Sequence, residues 1–89
     1  MRVVVADDVM LTREGIARLL DEAIDDAARR GAAWLRVRVR RDAGRFVVTI
    51  EDDGAPRSAR LVHLLDRVGA LCGSLEVGDT SLRAEIPCE

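Results

Sequence analysis

Lysine is missing from this chain of 89 residues, and all 14 of its basic residues are arginine. Any chemistry that sets a lysine ammonium against a phosphoryl group is therefore excluded. Tyrosine is also absent, and only one Trp and one Phe are present. That leaves little aromatic surface for stacking on nucleic-acid bases. There is one histidine, His63, and no local motif sets a Ser or Cys beside it, so nucleophilic triad chemistry has no support. The two cysteines, Cys72 and Cys88, are too few for a disulfide framework and lack metal-ligand spacing. Cys72 sits in an apolar run and is expected in the core; Cys88, beside the terminus, is expected at the surface. No apolar run is long enough to span a bilayer and no secretory leader is present, so the expected location is cytoplasmic, with reduced thiols. No internal repeat, low-complexity tract or linker interrupts the chain.

The length allows one domain, residues 1–89, and the 48% hydrophobic content suits a folded protein. A domain this small buries a modest core, with stability of roughly 0.05–0.15 kcal/mol per residue, and a homodimer would add to it. The net charge of −2 calls for neither nucleic acid nor an anionic membrane. Arginine and alanine richness is the composition that GC-rich coding would produce.

Hydrophobic periodicity gives the order β-α-β-β-α-β-β. Arg2–Ala6 is a β-branched run expected as a short buried strand, ended by Asp7 and Asp8 and adding an edge or a central strand to the sheet. From Met10 to Arg30, apolar residues including Leu11, Ile16, Leu19, Leu20, Ala23, Ile24 and Ala27 recur at helical spacing. Gly31 is placed as the helix C-cap, and Arg29 and Arg30 suit the helix dipole. Leu35, Val37 and Val39 alternate with Arg36, Arg38 and Arg40, which predicts a strand with a basic outer face. A turn at Asp42-Ala43-Gly44 leads into a return strand through Phe46, Val48 and Ile50. Ser58 is expected to cap a second helix buried through Leu61, Leu64, Leu65, Val68 and Leu71 and ended by Gly73. Two short strands through Leu75 and Val77, then Leu82, Ala84 and Ile86, close the chain. The expectation is an α+β fold, a two-layer sandwich with two helices on one face of a mixed, mostly antiparallel sheet. A ferredoxin-like arrangement shares part of this order.

Two stretches carry family resemblances. Met1–Leu20 resembles the opening strand and helix of a response-regulator receiver domain, with Asp7 and Asp8 matching its magnesium-binding acidic pair. The remaining receiver units and the lysine are missing, so receiver phosphorylation is not expected. Residues 22–87 resemble a shortened ATP-binding domain of sensor histidine kinases, the GHKL or Bergerat-fold family. Glu22-Ala23-Ile24-Asp25-Asp26 looks like the family's helical box, with Asp26 where a magnesium-holding Asn belongs. Val48 to Pro56 looks like the strand and loop whose Asp accepts the adenine amino proton, here Asp52, with Gly54 allowing close approach. Pro56 replaces the second glycine of that loop, and Arg60 and His63 replace the glycines of the helix after the lid. The resemblance implies nucleotide contacts from Asp26, Asp52, Gly54 and Thr80, and metal contacts from Glu22, Asp26, Asp7 and Asp8, with ATP and Mg²⁺ as the cofactors. The two resemblances join near Leu20 and Asp21, inside one predicted helix.

If the first strand lies beside the strand ending at Ile50, then Asp7, Asp8, Asp52 and Asp53 gather at one sheet end, where they would repel unless they bind a cation. Three functional readings follow. The first is a non-catalytic signalling module that meets a two-component partner or itself through protein contacts. The second is a minimal ATP/Mg²⁺-binding domain. The third is a gene fusion or designed chimera without selected activity. Arg36, Arg38 and Arg40 alone are a weak signal for nucleic acid.

Overall fold

The computed structural model describes residues 1–7, 14–57, 68–70 and 72–87. β1 (Arg2–Asp7) leads through α1 (Glu14–Arg29) to β2 (Trp34–Asp42) and β3 (Arg45–Asp52). Residues 68–70 are helical, and β4 (Ser74–Val77) and β5 (Ser81–Pro87) follow. The strands form one sheet in the order β1-β2-β3-β5-β4. β1 and β2 are parallel and every other pair is antiparallel. The fold is the α+β sandwich expected from periodicity: a mixed five-stranded sheet packed against helices on one face.

Alternation along the strands decides what is buried. Leu35, Val37 and Val39 of β2, Phe46, Val48 and Ile50 of β3, and Leu82, Ala84 and Ile86 of β5 turn inward. Leu19, Ala23 and Ala27 of α1 cover them, and Val68 joins the same core. Leu20 is partly buried against that core, and α1 runs unbroken through Leu20 and Asp21. Met10–Arg13, Ser58, His63 and the leucines expected on the second helix lie outside the described residues. No helix among the described residues is long and apolar enough to cross a membrane.

Both helix ends close through the same hydrogen-bond pattern. Gly31, at φ +76°, follows α1; its amide reaches the Ala28 carbonyl and the Ala32 amide reaches that of Ala27, at 3.1 and 3.0 Å. This is a Schellman motif, with Ala32 and Ala27 both buried as the motif favours. At the second helix end, Cys72 rather than Gly73 takes the left-handed position, at φ +59°, with its amide on Gly69 and the Gly73 amide on Val68. Gly73 matters for space instead, because a Cβ there would stand 2.4 Å from the Glu85 carbonyl oxygen. Cys72 is exposed, contrary to its expected place in the core.

Two further expectations are corrected at the sheet's edge. β1 is not buried: Val3, Val4 and Val5 are all exposed, because β1 is an edge strand. Nor does it lie beside β3. It pairs with the far side of β2, with Asp7 level with Val39, whereas Asp52 is level with Leu35. Those levels are four residues apart on β2, roughly 13 Å at strand rise. Asp7 therefore stands at the opposite end of the sheet from Asp52 and Asp53, and Asp8 lies outside the described residues.

The β2–β3 hairpin turns on Ala43 and Gly44, both at positive φ, 50° and 77°. Two such residues define a type I′ turn, whose twist matches the strands but which disfavours alanine at its first position. Ala43→Asn should raise unfolding free energy by about 1 kcal/mol, measured by urea denaturation, with no change of fold.

Candidate functional site

The residues singled out by the kinase-like boxes converge where α1 and β3 end. Asp26 lies in the last turn of α1 and Asp52 closes β3. Asp52 is the buried charged residue of the described structure, its side chain 2% exposed. A buried carboxylate needs a cation and hydrogen bonds to remain ionised. Arg30, immediately after α1, supplies the cation. Its Nη1 donates to Asp52 Oδ1 at 3.0 Å and its Nη2 to Asp52 Oδ2 at 2.5 Å, a two-pronged fork. The same guanidinium donates from Nε to Asp26 Oδ2 at 3.0 Å and from Nη1 to the Ala55 carbonyl at 3.0 Å.

A second arginine completes the network. Arg57 donates to Asp26 Oδ2 from both Nε and Nη2, each at 3.1 Å. Its Nη1 reaches the carbonyls of Gly78 and Ser81, at 2.5 and 3.2 Å. The Arg57 side chain is only 6% exposed. Two carboxylates thus face two guanidinium groups, and the local charge is balanced.

Backbone contacts hold the loop after β3 against this cluster. The Ala55 amide donates to the Arg30 carbonyl at 2.9 Å, and the Arg57 amide to that of Asp79 at 2.9 Å. Gly54 donates its amide to Asp52 Oδ1 at 2.8 Å. A Cβ on Gly54 would meet the Arg30 carbonyl oxygen at 3.1 Å and Arg30 Cβ at 3.2 Å, so the close approach allowed by this glycine is to Arg30. Asp53 points elsewhere and accepts the Ala33 and Trp34 amides at 2.8 and 3.0 Å, fastening the start of β2.

The other named residues are distributed around this centre. Thr80 accepts the Asp52 amide through its carbonyl at 3.0 Å. With Asp52 it also lines an open depression of about 600 Å³, shared with Thr49, Glu51, Glu76 and Arg83, which does not include Asp26 or Gly54. Glu22 is half-buried one turn before Asp26. Among the described residues, no three His, Cys, Asp or Glu side chains converge as a metal site.

Burial alone would push the Asp52 carboxyl up, but the Arg30 fork, the Gly54 amide and the charges of Arg30 and Arg57 outweigh it and hold the group below its ordinary range. The hydrogen bond to Asp52 raises Arg30, against the opposing effect of burial and with further support from Asp26.

Sequence reasoning brought Asp26 and Asp52 together but missed both arginines. Its position near the helix end makes Arg30 read as a partner of the helix dipole, and Arg57 falls between the boxes, where no motif marks it. The available signal was the Asp26–Arg30 spacing of four, which sets both on one helix face, together with a carboxylate standing where the family has a neutral amide.

Comparison with known proteins agrees with the fold. No protein-family model and no curated protein matches the sequence. Among solved structures, the histidine kinase AdeS of Acinetobacter baumannii superposes with a TM-score of 0.76 at 20% identity, covering 99% of this chain and 55% of that one. The blue-light activated histidine kinase EL346 of Erythrobacter litoralis gives 0.79 at 23% identity, covering 97% of this chain and 37% of that one. The histidine kinase domain of the E. coli osmosensor EnvZ gives 0.75 at 23% identity, with 99% and 76% covered. The chain thus shares the fold of histidine kinases and spans about half or less of the first two.

The lowered Asp52 pKa carries a sign. A carboxyl depressed by folding adds stability above its unfolded value, near 4, and loses it as pH falls through the folded value. Arg30 is raised above its already high ordinary value, so its contribution is constant across the acid range. The unfolding free-energy difference between the native chain and Asp52→Asn should therefore be largest above about pH 5 and shrink steadily towards pH 2, as read by urea denaturation at each pH. A difference independent of pH would contradict the charged pairing.

Proposed function

We propose that this chain is a non-catalytic signalling module of histidine-kinase type, which acts through protein contacts and whose nucleotide-facing carboxylates are engaged by its own arginines. One observation carries the reading: the Arg30 fork occupies both oxygens of Asp52, the carboxylate that the kinase resemblance assigns to adenine. An adenine amino group would have to exchange a doubly charge-assisted contact for a neutral one. Hydrogen bonds to charged groups contribute about 1.5–3 kcal/mol, so losing the fork alone weakens binding by roughly tenfold to a hundredfold. The displaced guanidinium, 10% exposed, would also need a new partner.

The metal position is served in the same way. Asp26 Oδ2 accepts from Arg30 and twice from Arg57. The positive charge that magnesium would bring beside Asp26 is already supplied by these guanidinium groups. The residues as they stand do not fit a magnesium–nucleotide complex, and no catalytic step is assigned to them. A two-component pathway is the proposed setting, with a protein partner or a second copy as the contact.

The runner-up is a minimal ATP/Mg²⁺-binding domain. It is favoured by the convergence of Asp26 and Asp52 on one guanidinium, which sets both carboxylates at a single site. Thermal melting with Mg²⁺ and ATP separates the two readings. The native chain should melt unchanged at millimolar ATP. Arg30→Ala should lower stability by about 3–5 kcal/mol, the cost of leaving a buried charge unpaired. It should also acquire a nucleotide-dependent upward shift, which Arg30→Ala with Asp52→Ala lacks. An ATP-dependent shift in the native chain that vanishes in Asp52→Ala would establish the runner-up instead.

A further inference from the structure

At the far edge of the sheet, β1 has β2 on one side and no described strand on the other. The Arg2 amide donates to the Ala33 carbonyl at 2.9 Å, which fixes how the backbone of β1 is turned. Successive residues of a strand point their amides and carbonyls to alternate sides. Arg2 and Val4 thus face β2, while Val3 and Val5 direct their backbone groups to the open edge.

The side chains at this edge are apolar on the core side. Val3 and Val5 are level with Leu35 and Val37, which are 0% and 1% exposed. Yet Val3 and Val5 are themselves 39% and 49% exposed, and Val4 between them 43%. The apolar face of the sheet therefore continues past its cover. Edge strands are usually blunted by a charge, a proline or a bulge; none interrupts Val3 to Val5.

The opposite face beside this edge is positive. Trp34, Arg36, Arg38 and Arg40 stand exposed in one row along β2, at about 7 Å intervals. Arg2 is level with Trp34, and the Arg36 guanidinium lies 5.7 Å from the Trp34 ring centre. Beyond β2 the charge turns mixed: Glu51 is level with Arg36, Glu85 with Val47, and Glu76 with Arg83. The positive stripe is one strand wide and lies one strand in from the open edge, with Arg2 at the edge itself.

We infer that the β1 edge is a strand-addition site for an extended partner segment that alternates apolar and acidic residues. Its backbone would pair with the outward amides and carbonyls of Val3 and Val5. Its apolar side chains would extend the core face over Val3 and Val5. Its carboxylates would meet Arg2 directly and Arg36 and Arg38 across one strand. A duplex or a long polyanion fits less well, because Glu51, Glu76 and Glu85 border the stripe. The inference relies on the interaction-module reading for the existence of a partner and locates where that partner binds.

The probe is a short synthetic peptide alternating valine and glutamate, titrated into the full chain and followed by the fluorescence of Trp34, the single tryptophan. Binding should weaken with salt and be absent when lysine replaces glutamate in the peptide. The double variant Arg36→Glu/Arg38→Glu should lose about tenfold in affinity, the sum of two exposed ion pairs. Val5→Pro removes an outward amide without touching the β1–β2 bonds and should abolish binding. A peptide N-methylated at its pairing amides gives the same information on the unaltered protein. Equal binding of the lysine peptide or of the N-methylated peptide would overturn the inference. So would preference for a single-stranded oligonucleotide, or a Val5-dependent dimer by sedimentation with no peptide binding. Repeating the titration with Mg²⁺ and ATP keeps the two readings apart: a nucleotide-dependent melting shift counts against the closed site and leaves the edge titration unchanged.

Discussion

Arg30 clamped on Asp52 is the contact on which one end of this molecule depends. A carboxylate at the buried end of β3 would be untenable alone. The Schellman turn at Gly31 fixes Arg30 at the point where α1 stops, and its side chain reaches across to the end of β3. Its carbonyl accepts from Ala55 while its guanidinium donates to Ala55, so the loop after β3 is held by backbone and side chain together. Arg57 then carries the connection onward to Gly78 and Ser81 in the β4–β5 turn. Helix, central strand, loop and turn are thereby tied by two guanidinium groups. Such buried pairs add little net stability, since desolvation offsets attraction. What they contribute is a geometry that fails if either partner is lost.

The same clamp accounts for the fate of the kinase-like boxes. A neutral amide at position 26 would ask for no counter-charge. Asp26 does, and with Asp52 nearby the end of α1 would carry two uncompensated carboxylates at the negative pole of the helix. Arg30 and Arg57 answer that charge from within the chain. The carboxylate at position 26 is thus what gives both arginines a common partner. The sheet and helix superpose on histidine kinases at TM-scores near 0.75, and at their junction the carboxylates and guanidinium groups of this chain are bonded to one another.

What the sequence discloses follows from the range of the physics. Strands β2, β3 and β5 alternate with period two, and α1 keeps its stripe through Leu20 and Asp21, so element types and inward faces could be read locally. The neighbour of β1 could not. Three consecutive valines look alike in a buried strand and on an edge, and only pairing with β2 shows them to be exposed. Cys72 was misjudged for a similar reason: an apolar neighbourhood in sequence says nothing of a left-handed turn that swings the side chain outward. In the site, the boxes marked Asp26 and Asp52, but the Arg30–Asp52 pair spans 22 positions and no local pattern encodes it.

The absence of lysine gains meaning at these contacts. Arg30 serves Asp26, Asp52 and Ala55 at once, from three nitrogens of one rigid plane. An ammonium is a single point with three rotatable donors and cannot grip both oxygens of Asp52 in parallel while also reaching Asp26. Arg36 lying over Trp34 uses the flat guanidinium in another way, against an aromatic face. A coding bias can supply arginines indiscriminately. It does not explain why two of them, with side chains 10% and 6% exposed, are set against carboxylates while a row of others stands exposed beside an unblunted strand. Planar guanidinium groups thus serve this sheet in two ways, holding carboxylates where α1 and β3 end and standing exposed in a row along β2.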